Sequence, residues 1–83
     1  MPEPPPLPSD FLEEVEAALR ETARQISGDH RRLAALEELA ALCRQLRRDL
    51  GRPLSVFDVI RSAGGGSERQ RRHTLVRELR KPI

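Results

Sequence analysis

The sequence predicts an all-α chain: a small four-helix domain with two longer amphipathic helices, then a short helix, a glycine turn and a basic helix. Three observations carry that expectation. Apolar residues recur at three- and four-residue spacing rather than in strict alternation, which marks one buried face of a helix. Gly, Pro and Ser interrupt that rhythm at 27–28, 51–55 and 64–67, dividing residues 9–83 into four periodic stretches. Phe11 and Phe57 are the only aromatics in 83 residues, against twelve leucines, so leucine must fill most of the core.

Residues 1–8 hold Pro2, Pro4, Pro5, Pro6 and Pro8, which favour polyproline II and forbid helix. They read as a disordered leader before a single helical domain at 9–83. Within them Pro5-Pro6-Leu7-Pro8 resembles the PPLP ligands of some WW domains, and Pro2 to Pro5 has PxxP spacing. Ser9 or Asp10 can cap a first helix that reaches about Ile26. At 100° per residue, Leu12, Val15, Leu19, Ala23 and Ile26 form its apolar stripe, with Glu13, Glu14, Glu21 and Arg24 opposite. Ser27-Gly28 stops it, and Asp29 can cap a second helix over about 30–50. In that helix Leu33, Leu36, Leu39, Ala40, Leu42, Cys43, Leu46 and Leu50 cover roughly half the circumference, which makes it central. A face that wide also predicts a homodimer built on the first two helices. Gly51 and Pro53 end the second helix. Ser55 can cap a short third helix at 56–62, with Val56, Val59 and Ile60 inward. Gly64-Gly65-Gly66 breaks it, and Ser67 with Gln70 has capping-box spacing, opening a fourth helix that runs to about Arg80.

The net charge of +2 conceals an asymmetry. Residues 1–42 carry 4 basic and 9 acidic side chains, and residues 43–83 carry 11 and 4, so the halves stand at −5 and +7. Such a split points to a polyanion-binding end. All the cations except Lys81 are arginines, whose planar forks suit phosphate oxygens and guanine edges.

Several functions are disfavoured. His30, His73 and Cys43 are too few and too scattered for a zinc set, so neither metal nor cofactor is expected. No nucleophile stands with a base, and Glu13-Glu14 and Glu37-Glu38 fall on wet helix faces, so the chain does not read as an enzyme. The glycine turn lacks the Lys and the preceding strand of a phosphate-binding loop. No run approaches the roughly 18 apolar residues of a membrane span, and lone Cys43 fits a reducing cytoplasmic or nuclear setting. Scarce aromatics argue against single-stranded nucleic acid, which is bound by stacking.

The fourth helix is the sharpest object. With Leu75 as origin, Val76 and Leu79 lie within about 100°, whereas Arg69, Arg80, His73 and Arg77 fall between about 120° and 200°. Gln70 and Lys81 flank that stripe. Arg72 projects onto the apolar side, so the helix is expected to leave the core there. A short helix, a turn and a capped basic helix is the order of a helix-turn-helix, whose second helix enters the major groove of duplex DNA. The reading residues are then Arg69, Gln70, His73, Arg77 and Arg80, with the Ser67 hydroxyl and nearby N–H groups on phosphate.

Gly51-Arg52-Pro53-Leu54-Ser55, then Val59, then Gly64-Gly65-Gly66-Ser67 resembles the N-terminal DNA-binding domain of plasmid KfrA-type regulators. The resemblance spans about 30–35 residues and implies a helix-turn-helix fold and duplex DNA as partner. Arg71 stands where that pattern has an apolar residue, and no tryptophan follows. Residues 52–59 are also similar to the segment joining the second and third helices of histone folds, although the second helix is over a turn too short. The competing class is a helical protein-interaction module, antitoxin-like or assembly-factor-like, whose arginine-rich end grips an acidic partner.

Overall fold

The structure, a computed structural model, describes residues 10–25 and 30–81. The leader at 1–8, Ser9, Ile26, the Ser27-Gly28 stop, the Asp29 cap and Pro82 lie outside the described residues. Four helices follow in order: α1 (Phe11–Arg24), α2 (His30–Leu50), α3 (Val56–Arg61) and α4 (Gly66–Arg80). Among the described residues there is no strand, and the fold is all-α.

Helix α1 starts at Asp10, whose carboxylate accepts the Leu12 N–H at 3.1 Å. It ends at Arg24, short of Ile26, because Gln25 is extended. Its buried face differs from the expected stripe. Phe11, Val15 and Thr22 are buried, Leu12, Ala18 and Leu19 are half-buried, and Ala23 is exposed. The reason lies outside the helix. The Phe11 N–H donates to the Leu54 carbonyl at 3.0 Å, and both side chains join the core, so the 51–55 segment sets the rotation of α1.

Helix α2 is central, as its wide apolar arc requires. Leu36, Leu39, Ala40 and Cys43 are fully buried, and α2 packs against α1, α3 and α4 in turn. Each fully buried leucine is worth about 2 kcal/mol, a large part of the roughly 3–5 kcal/mol net stability of a domain this small. Of the arc that predicts a dimer through the first two helices, Leu36, Leu39, Ala40 and Cys43 are buried within the chain, Leu33, Leu42 and Leu46 are half-buried, and Leu50 is exposed. Arg47 near the end of α2 pairs with Asp10 at the start of α1, so the two form an antiparallel hairpin. Gly51 closes α2 with φ +64, a left-handed conformation that suits glycine, and its N–H reaches the Arg47 carbonyl at 3.0 Å.

The capping box belongs to α3. Ser55 accepts the Asp58 N–H at 3.4 Å, and Asp58 accepts the Ser55 N–H at 2.9 Å. Asp58 also takes a two-pronged ion pair from Arg52, both contacts at 2.9 Å. The expected box at Ser67 and Gln70 is absent: α4 opens two residues earlier, its N-cap is Gly65, and no side chain caps it. Gly66 has φ +67, a turn geometry that a serine rarely adopts, so Ser67 falls inside the first turn instead of ahead of it.

Candidate nucleic-acid interface

The arginines of α4 divide by what their guanidinium groups touch. On the inner side, Leu75 and Leu79 enter the core and Val76 is half-buried. Arg72 lies one turn before Leu75 with a side chain only 11% exposed. It does not carry the helix away from the core. Its Nη1 donates to the Val59 carbonyl at 2.8 Å and to the Ser62 hydroxyl, while Nε meets Glu68 at 3.2 Å. A cation on the last carbonyls of α3 satisfies acceptors that the helix leaves open and opposes its dipole. Arg32 of α2 does the same for the far end of α4, reaching the carbonyls of Leu79 and Lys81, each at 3.3 Å. Arginine therefore ties the middle of α4 to the end of α3 and the C-terminal end of α4 to α2.

The flanks are also engaged. Arg71 pairs with Glu38 of α2, Lys81 with Glu78 at 2.7 Å, and Arg80 approaches Glu14 of α1 at 3.8 Å. Because the N-terminal part of α2 meets the end of α4 and Glu38 meets Arg71, the two helices run in opposite senses where they touch.

The outer face is different. Ser67, Arg69, Gln70, His73 and Arg77 are all exposed. Their side chains make no hydrogen bond or ion pair among the described residues. The structure thus brings Arg69, Gln70, His73 and Arg77 onto one solvent face, with Ser67 at its start. It sets Arg80 apart on the flank towards α1. Sequence reasoning assigns no role to Arg32 and reads Arg72 only as a departure from the core. The available signal is an arginine at an apolar helical position, which has to find acceptors or leave.

Among the described residues no group of three His, Cys, Asp or Glu side chains is placed to hold a metal ion, and no helix is long and apolar enough to cross a membrane. Burial pushes the Cys43 thiol up to about 12, and the nearby Asp10 charge adds to the shift. It is a core residue and not a nucleophile. Comparison with family models, with curated proteins and with solved structures gives no match to this chain.

Proposed function

We propose that this chain binds duplex DNA through α4, with α3, the glycine turn and α4 acting as a helix-turn-helix. The observation that carries the reading is the division of the arginines. Those on the inner side and flanks meet carbonyls or carboxylates, while Arg69 and Arg77 are held out in solvent beside Gln70 and His73. A guanidinium without a partner on a helix held at its middle and its C-terminal end is suited to a bidentate contact with guanine or to a phosphate. Gln70 is suited to adenine. Ser67 and the first-turn N–H groups, which no side chain caps, are suited to phosphate. Arg80 would reach the backbone by exchanging its long contact with Glu14 for a phosphate.

Replacing Arg69 and Arg77 together by Ala tests this. Both are exposed, so the melting temperature should hardly move. Affinity for a random duplex, followed by anisotropy at several salt concentrations, should fall. The salt slope should flatten by roughly one unit for each phosphate that an arginine no longer neutralises. Arginine on guanine would instead show as a penalty of about 1–3 kcal/mol confined to particular sequences. A folded double mutant that binds as tightly as the parent, at the same slope, removes α4 as the reader and leaves the acidic protein partner as the better account.

A further inference from the structure

Among the described residues two large apolar side chains remain in solvent. Leu50 is 42% exposed at the end of α2, and Phe57 is 72% exposed on α3. A partly wet leucine is ordinary, but a phenyl ring left out by a chain that owns only two is the largest apolar group the fold fails to cover. Arg61 stands one turn further along the same face of α3, exposed and without an ion pair among the described residues.

The residues immediately before Phe57 build a hole. Phe11 and Leu54 form the floor of an open groove of about 360 Å³, Pro53 and Val56 form its side, and Glu14 and Arg80 stand at its mouth. The lining is mainly apolar and the space accepts a phenyl ring. Phe57 of the same chain does not fill it, since that ring lies in solvent. The helix beside the groove is acidic in its first turn, at Glu13 and Glu14, whereas the helix that carries the ring ends on Arg61.

We propose that a second copy of this chain supplies the missing half. The two associate about a twofold axis, with Phe57 of each copy seated in the groove over Phe11 and Leu54 of the other, and Arg61 set against Glu14 across the interface. A knob and a hole side by side on one surface are what a closed, isologous contact needs, because the same patch serves both copies and nothing is left to propagate. A buried aromatic anchor ringed by complementary charge is also the usual energetic centre of an interface. The surface uses residues 53–61 and the start of α1, not the leucine arc of α2. It includes none of Arg69, Gln70, His73 and Arg77 and shares only Arg80, at the groove's mouth, with the proposed DNA-binding face of α4, so Phe57→Ala tests it separately from the Arg69 and Arg77 pair.

Sedimentation equilibrium of the full chain, from about 1 µM upwards, reads the association directly. A reversible monomer–dimer equilibrium is expected. Phe57→Ala should raise its dissociation constant at least about tenfold without lowering the melting temperature of the monomer. Glu14→Arg and Arg61→Glu should each weaken the dimer, and the two changes in one chain should restore it. A parent chain that stays monomeric to several hundred micromolar overturns the proposal. So does a dimer that Phe57→Ala leaves intact, or a monomeric Phe57→Ala chain whose only deficit is duplex affinity, which would give the ring to nucleic acid.

Discussion

At Asp10 one carboxylate accepts the Leu12 N–H at the start of α1 and the Leu54 N–H from the segment before α3, both at 3.1 Å, and it pairs with Arg47 of α2 at 3.0 Å. Burial works to raise its pKa, but the Leu54 and Leu12 donors and the Arg47 guanidinium outweigh that, and the carboxyl sits below its ordinary value. The Arg52 guanidinium, followed by the Ser55 N–H, holds Asp58 further below that range. Both groups bind protons more weakly folded than unfolded. Their stabilisation is therefore complete above the unfolded value of about 3.9 and is lost as pH falls through the lower folded values. Thermal melts should show little change from pH 7 to about pH 5 and a falling midpoint below that. Asp10→Asn keeps a capping side chain and removes the titration, so its midpoint should fall less on acidification. Asp10→Ala, which strips the cap and strands the Leu54 N–H, should cost on the order of 2 kcal/mol at neutral pH. An Asp10→Asn chain whose midpoint falls as far as the parent's would take Asp10 out of the acid transition.

Among the elements, the two serines that precede or begin short-range turns have opposite roles. Ser55→Ala removes a side-chain cap and should cost about 1 kcal/mol, or some 4–8 °C in Tm for a domain this size. Ser67→Ala falls inside the first turn of α4, uncaps nothing and should be close to neutral. Equal penalties from both would return the capping role to Ser67. Sequence alone marks four helices here because glycine and proline punctuate a strong 3.6-residue rhythm, and the outer face of α4 follows from the same rhythm. It misplaces what distant residues decide. Local spacing sees Ser67-x-x-Gln70 as a box, but the left-handed Gly66 admits the helix two residues early. The rotation of α1 answers to Leu54, more than forty positions away. The docking of Arg72 depends on a carbonyl at Val59 that exists only once α3 has folded against α4.

On the scale of the whole molecule, the two halves of the sequence stand at −5 and +7, and Arg69 and Arg77 are exposed on the outside of α4. If α4 binds duplex DNA as proposed, the rate of association should fall with ionic strength. The buried thiol at Cys43 then has a use beyond packing. With burial raising its pKa to about 12, the thiol stays protonated at pH 8, and none of it meets solvent. An aromatic disulfide reagent can therefore take Cys43 only when the helices part, and the colour released becomes a clock for opening. Labelling should accelerate with low urea in step with the fall in stability. Saturating duplex, if it binds only the closed form, should slow the clock by the factor 1 + [L]/Kd. A rate indifferent to urea would mean that the thiol is reached by local breathing around α2. Otherwise the protein carries in its own core a built-in gauge of how fully its surface is occupied.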